Sequence, residues 1–248
     1  RDTQELLGEA EAADADLAKG RSRGVLHGFP HAVKDLAMTA GIPTTMGSPV
    51  FARQVPAEDG IAVARLRKAG AIFIGKTNTP EFGLGSHTYN PVFGATRNPY
   101  NRSRSAGGSS GGSAVALAAR MLPLADGSDM MGSLRNPAGF CNVYGFRPSY
   151  GRVPSGPGPE CFMDSMATEG PMARTVADMA LLLSLQAGYD PRAPQSLPGD
   201  GSEFAALAEA PPPADLKGLR IGWLGDFGGH MAMEDGILDL NRQALSVL

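Results

Sequence analysis

Reactive side chains are densest in SRSAGGSSGGSAVALA, residues 103–118, and in DGSDMMGSLRNPAGF, residues 126–140. A Gly/Ser run without hydrophobic side chains packs no core; it suits a place where backbone comes close to a ligand or to another backbone. Serine chemistry means nucleophilic attack, and a hydroxyl attacks well only when a base takes its proton. GGSSG and GSSGG fit G-x-S-x-G around Ser109 and Ser110, the nucleophile elbow of α/β-hydrolases, and chain order would leave His230 as its base. That elbow needs a strand immediately before it, whereas NPYNRSRSA is polar and turn-forming. A flexible linker is countered by the direct switch into the helical SAVALAARML.

A second pattern, GAIFIGKT at Gly70–Thr77, fits the phosphate-binding G-x-x-x-x-G-K-[ST]. Its context is wrong. DGIAVARLRKA reads as a helix over 59–69 with Asp59 as N-cap and Gly70 after its end. Ala71–Ile74 reads as a short buried strand, with Gly75 opening a turn. A phosphate loop requires strand, loop and helix in that order.

The elements around these motifs alternate. Residues 1–19 read as helix, 31–38 as strand, 78–112 as irregular chain, and 113–122 as a small-residue helix. Residues 175–188 read as helix, with capping-box spacing at Thr175 and Asp178 and a stop at Gly188. Residues 189–217 read as a Pro-rich surface excursion, 219–225 as strand, and the remainder as a last helix. Strands alternating with helices give an α/β class.

The 248 residues are 42% hydrophobic and 19% charged with a net charge of -3, ordinary for a globular enzyme. That charge argues against nucleic acid or an anionic membrane as partner. Cys141 and Cys161 lack metal-ligand spacing; reduced thiols in a cytoplasmic protein are favoured, with a disulfide left open. No apolar run is long enough to span a membrane and no signal peptide is seen. The missing initiator Met and the abrupt end at Leu248 suggest a piece of a longer protein, a single domain over 1–248 incomplete at its C-terminal end.

AGGSSGGSAVALAA and DGSDMMGSLRNPAGFCNVYGFRPSYGRVP, with GFPHAVKDL and GKTNTPEFGLGSHTYNPVFGATRNPYN upstream, resemble the amidase signature family. The resemblance runs from about Gly28 to about Arg174 in several blocks in the right order. It implies a central mixed, twisted β-sheet covered by helices on both sides. It also implies a Ser–Ser–Lys triad: Ser133 as nucleophile, Ser109 as bridging serine after a cis bond from Gly108, and Lys34 as base. The oxyanion donors would be the N–H groups of Met130, Met131, Gly132 and Ser133, with Asp129, Arg135 and Ser110 in support. No metal or cofactor is implied. A lysine accepts a proton only when neutral, so its pKa must fall through burial. The apolar flanks of Lys34, Ala32–Val33 and Leu36–Ala37, fit that; a Lys34–Asp35 surface ion pair is the alternative.

The implied activity is hydrolysis of an amide, or of an ester or carbamate, through an acyl-enzyme on a small-molecule substrate. The alternative is the ammonia-producing subunit of a tRNA-dependent amidotransferase; a non-catalytic binding module that kept the fold fits least, because all three triad positions are intact. Homodimerisation is left open. One departure stands out: Met131 occupies a position where the family usually has glycine. The expectation is a loop shifted to a conformation open to any residue, with the Met131 side chain in the core or in the acyl-pocket wall.

Overall fold

The computed structural model describes residues 1–158, 166–210 and 217–246. Two compact units are present, Arg1–Glu209 and Ala210–Leu248. Among the described residues no helix is long and apolar enough to cross a membrane.

The first unit opens with α1 (Thr3–Leu17), capped by Asp2, whose carboxylate accepts the N–H groups of Gln4 and Glu5. β1 (Pro30–Lys34) follows and ends earlier than the expected 31–38, because the chain turns after Lys34 and Ala37 N donates to Lys34 O. α2 (Ile61–Lys68) is capped by Gly60, not by Asp59. Asp59 instead accepts Ala40 N at 2.7 Å and pairs with Arg67, so its carboxylate ties the helix to the preceding loop.

β2 (Ile72–Thr77) runs parallel to β1, from Pro30 opposite Ile72 to Lys34 opposite Thr77. The strand passes straight through Gly75, where the sequence suggested a turn; pairing with β1 overrides the local glycine signal. Lys76 therefore lies on a strand, held by Ala37 O, Thr39 Oγ1 and Thr44 Oγ1, and no phosphate loop exists there.

The irregular stretch that follows carries only a short hairpin, β3 (Tyr89–Asn90) with β4 (Gly94–Ala95). α3 (Gly111–Ala118) starts two residues earlier than expected and stops short of 122. Its first turn lies against the 78 backbone so closely that a Cβ on Gly112 would stand 2.2 Å from Asn78 N. The glycines read as loop are thus the packed entrance of the helix.

Between α3 and Val176, four elements were not foreseen: β5 (Leu124–Asp129), α4 (Arg135–Cys141), β6 (Tyr144–Gly145) and β7 (Thr168–Ala173). β5 reads LADGSD, and Asp, Gly and Ser are poor strand formers. β7 pairs antiparallel with both β5 and β6. Parallel and antiparallel ladders are therefore both present, but as separate ladders. Where β1 lies beside β5, Lys34 N donates to the Asp126 carboxylate at 3.1 Å. A side chain makes the link that a continuous sheet would make through backbone.

α5 (Val176–Gln186) has the expected cap: Thr175 Oγ1 accepts Asp178 N and donates to Asp178 Oδ2. Inside the stretch expected to be a surface excursion lies α6 (Ser202–Glu209), packed on α5, with Ala193 buried before it. Alternation along β1 sends its side chains to two cores. Ala32 joins Ala114, Leu117, Leu134 and Met172, whereas Val33 joins Val63, Leu66, Phe73 and Leu182. Helices thus cover both faces.

The second unit holds α7 (Ile237–Leu245). Residues 219–225 form no strand, and Leu219, Ile221, Trp223 and Leu224 are exposed. An alternating apolar run becomes a strand only beside a partner, and the described residues of this unit contain none.

Candidate active site

Lys34 closes β1 and is 1% exposed, among the largest fully buried side chains. Its Nζ lies 2.8 Å from Ser109 Oγ, 2.8 Å from Ser110 Oγ, 3.0 Å from Ser128 Oγ and 3.3 Å from Ser128 O. No carboxylate touches it among the described residues. Burial lowers its pKa to about 7, against the opposing pull of Asp126, Asp129 and Glu169. The surface ion pair with Asp35 is not formed. Asp35 is also buried, and its carboxylate takes Thr45 N and Thr45 Oγ1.

The two adjacent serines differ in their hydrogen bonds. Ser110 Oγ donates to Ser128 O and accepts Ser128 N, while Ser110 N donates to Ser133 O at 3.1 Å. The Ser110 proton thus has a carbonyl acceptor besides Lys34. Ser109 Oγ has Lys34 as its partner among the described residues, which leaves its own proton free for transfer. The Gly108–Ser109 peptide bond is cis. No strand precedes this pair, and Ser110 is the N-cap of α3, so the nucleophile-elbow context is absent. His230 belongs to the second unit.

Ser133 lies in the turn between β5 and α4 and is half-buried. Its carbonyl holds Ser110 N, but its hydroxyl makes no hydrogen bond among the described residues. The loop carrying it is clamped by Asp129, which is fully buried. Asp129 accepts Gly132 N at 2.7 Å, Leu134 N at 3.1 Å, Arg135 Nε and Nη2 at 3.0 Å, and Arg147 Nη1 at 3.0 Å. Burial alone would raise this carboxyl. The Arg135 guanidinium and the Gly132 and Leu134 N–H groups outweigh it and hold it far below the usual carboxylate range.

Of the four N–H groups expected to face an oxyanion, that of Gly132 is engaged by Asp129. Those of Met130, Met131 and Ser133 have no partner among the described residues. The loop bends at Gly132, with φ +113, while Met131 is not among the residues with positive φ. Met131 is 77% exposed, so its side chain is not packed in a core formed by the described residues.

Sequence reasoning missed Ser128, Asp126, Arg147 and Glu169. Asp126 anchors Lys34 N and bonds His31 Nε2 at 2.9 Å. Arg147 joins Asp129 to Met130 O and Met166 O. All lie far from Lys34 along the chain: β5 lying beside β1 brings in Asp126 and Ser128, pairing of β7 with β5 brings in Glu169, and Arg147 reaches Asp129 from the segment after β6. Ser128 had one local signal, its place two residues after Asp126 in a run that proves to be a strand. Cys141 is buried and free, and burial lifts its thiol to about 11; Cys161 lies outside the described residues.

The Amidase family model matches residues 1–248. The chain is 44% identical over 247 residues to the A subunit of the glutamyl-tRNA(Gln) amidotransferase of Salinispora arenicola, covering 100% of this chain and 50% of that protein. Among solved structures, a bacterial aryl acylamidase of the amidase signature family matches with TM-score 0.75 and 37% identity over 79% of this chain and 41% of that one. The peptide amidase of Stenotrophomonas maltophilia matches with TM-score 0.70 and 38% identity, over 79% of this chain and 41% of that one. The chain spans about half the length of the curated relatives it matches. With the family model matched from end to end and a fold shared with solved members, this chain belongs to the amidase signature family.

Proposed function

We propose that the full-length protein cleaves carboxylic amide bonds through an acyl-enzyme on Ser133. The observation that carries this reading is a fully buried lysine whose Nζ is surrounded by serine oxygens instead of a counter-ion. Such a lysine is partly neutral near pH 7, and its neutral form can accept a proton.

In the proposed path the Ser133 proton passes to Ser109 Oγ as the Ser109 proton passes to Lys34 Nζ. Ser133 Oγ bonds to the carbonyl carbon, and the carbonyl π pair moves onto oxygen. The open N–H groups of Met130, Met131 and Ser133 are the donors available to that oxyanion. Gly132 contributes by fixing the bend. Collapse breaks the C–N bond, and the proton held by Lys34 returns through Ser109 to the departing amine. Water then attacks the ester, its proton passing to Ser109 Oγ as the Ser109 proton passes to Lys34 Nζ. The acyl–oxygen bond breaks, the acid leaves, and the proton held by Lys34 returns through Ser109 to Ser133 Oγ. The Ser133–Ser109 link closes as substrate binds, since such hydrogen bonds often tighten only in the complex. Esters and carbamates fit the same steps.

The curated relatives favour a narrower second reading, in which this protein produces ammonia within an amidotransferase and works with a partner. Eight of those relatives, at 42 to 44% identity, share the glutamyl-tRNA(Gln) amidotransferase name. The solved neighbours include other amidases as well.

A fluorophosphonate probe followed by intact-protein mass spectrometry tests the shared chemistry. Full-length protein should gain one adduct on Ser133, and Ser133→Ala should gain none. An adduct that persists in the variant, or maps to Ser110, defeats the assignment. Turnover of aryl and alkyl amides by the isolated protein favours the stand-alone amidase. Glutamine hydrolysis that appears only with candidate partner proteins favours the amidotransferase.

A further inference from the structure

Glu169, on β7, stands directly opposite Ser128 on β5. Opposed residues of an antiparallel pair project to the same face, with Cβ atoms about 5 Å apart. Ser128 Oγ contacts Lys34 Nζ, so this is the Lys34 face, and Glu169 shares it. Asp126, two residues before Ser128, shares it too, whereas Asp129 lies on the opposite face under Arg135 and Arg147.

The titratable groups around Lys34 can be taken element by element. β1 supplies His31, bonded to Asp126; β2 supplies Lys76, tied to Ala37, Thr39 and Thr44. β5 supplies Asp126 and, from its far face, Asp129. The α3 entrance supplies only the Ser109 and Ser110 hydroxyls. β7 supplies Glu169, whose carboxyl has no hydrogen bond among the described residues. It borders a cavity of about 360 Å³ that also contacts Leu36, Ala37, Met38, Tyr150 and Gln195. Neither Ser109, Ser133 nor residues 130–132 line that cavity. Glu169 therefore borders a space that those residues do not line.

We propose that Glu169 is a positioning residue for Lys34, and that the two titrate as one coupled unit that decides at what pH the lysine is free to accept a proton. Glu169 is half-buried at the cavity edge; its partial burial, reinforced by Asp126, raises its carboxyl toward about 7, while Lys34 and Lys76 pull it down. Lys34 is brought to about 7 by burial, with Glu169 among the groups pulling it back up. Two groups that meet at the same pH and feel each other's charge lose protons in overlapping steps that belong to the pair. The catalytic consequence rests on Lys34 being the base proposed above; the coupling itself does not.

The test uses full-length protein with two readouts. In the kcat/KM profile, the acid limb of the wild type should be broad. Glu169→Gln should leave a single sharp ionisation with its midpoint lower by about half a pH unit. Glu169→Asp should retain the breadth. A purely structural loss would lower the whole profile without moving the limb. Independently, 13C NMR of glutamate-labelled protein should show one carboxyl titrating near neutrality, absent in Glu169→Gln and shifted upward in Lys34→Met. A resonance that behaves so, beside a rate limb unmoved in Glu169→Gln, supports the coupling and defeats Lys34 as the base. No glutamate titrating near neutrality, or one indifferent to Lys34→Met, overturns the proposal whatever the rates do.

Discussion

On one face of β5, Asp129 receives backbone N–H groups from Gly132 and Leu134 and the guanidinium groups of Arg135 and Arg147. On the other, Lys34 is equally buried but meets only serine oxygens. The strand thus separates a charge that is fully satisfied from one that is discouraged. Asp129 stays ionised over nearly all conditions and fixes the shape of the Ser133 loop. Lys34 hovers at the edge of ionisation, which suits the proton-carrying role proposed for it. A buried charge holds shape when all its partners are present, and is free to gain and lose its proton when its counter-ion is withheld.

Breaking the proton-moving side should have the largest effect. Lys34→Met is expected to lower kcat/KM by at least ~1,000-fold, as removal of a general base does. Stability at pH 7 should not fall with it, because the variant no longer buries an ionisable amine. Steady-state kinetics beside urea denaturation would show both; activity within tenfold of wild type contradicts the assignment.

Breaking the shape-holding side should cost stability as well as rate. Asp129→Ala leaves two guanidinium groups and two N–H groups without their acceptor. A loss of about 3 kcal/mol is expected, with weaker probe labelling of Ser133. Asp129→Asn should fall between. A loss below ~1 kcal/mol would mean that the clamp is an ordinary surface pair after all.

The contrast should also appear in stability against pH. Lys34 lies at about 7 in the fold against an ordinary 10.5. Its contribution is full above about 10.5 and is lost as pH falls to about 7. Glu169 lies at about 7 against 4.5. Its contribution is full below about 4.5 and is lost as pH rises to about 7. Together they predict a stability minimum near neutrality, superposed on the rest of the protein. Lys34→Met should remove the alkaline rise, and Glu169→Gln the acid-side fall. Asp129 acts oppositely to Glu169: its contribution is present above the ordinary carboxylate range and is lost only in strong acid. Denaturation series from pH 4 to 10 on the three proteins would show whether the minimum follows the pair.

What was legible in the sequence follows the same division. Elements with local signatures were found: α1, α2, and α5 with its Thr175–Asp178 cap. The motif residues were assigned because their types recur in a family pattern, and the fold brings Lys34, Ser109 and Ser110 together. β5 was not found, since LADGSD has the composition of a loop and becomes a strand only through β7. With β5 unseen, nothing local could place Ser128 or Glu169 beside Lys34. Arg147 was missed for the same reason, its link to Asp129 being a product of folding. Gly75 and residues 219–225 show the converse, a local signal outvoted by the presence or absence of a pairing strand.

The smallest expected effect concerns the loop that joins the two faces. Met131 replaces a residue type that could have supplied the bend, yet the bend lies one position on, at Gly132 with φ +113. There a Cβ would stand 2.7 Å from Asn136 Nδ2, so Gly132→Ala should strain both the backbone and the contact. Met131 has neither constraint, and its side chain projects into solvent beside its open N–H group. Met131→Gly should therefore change stability by no more than ~1 kcal/mol, mostly through the greater freedom of the unfolded chain. Its effect on catalysis depends on what the side chain meets in the substrate complex. If the thioether covers the acyl group, the ratio of kcat/KM for a bulky aryl amide over a small aliphatic amide should fall by roughly 10-fold, the scale of a modest apolar contact. Equal losses on both substrates would show that Met131 only steadies the N–H donors of the loop. No change on either would show that Gly132 and Asp129 shape the loop without help from this side chain.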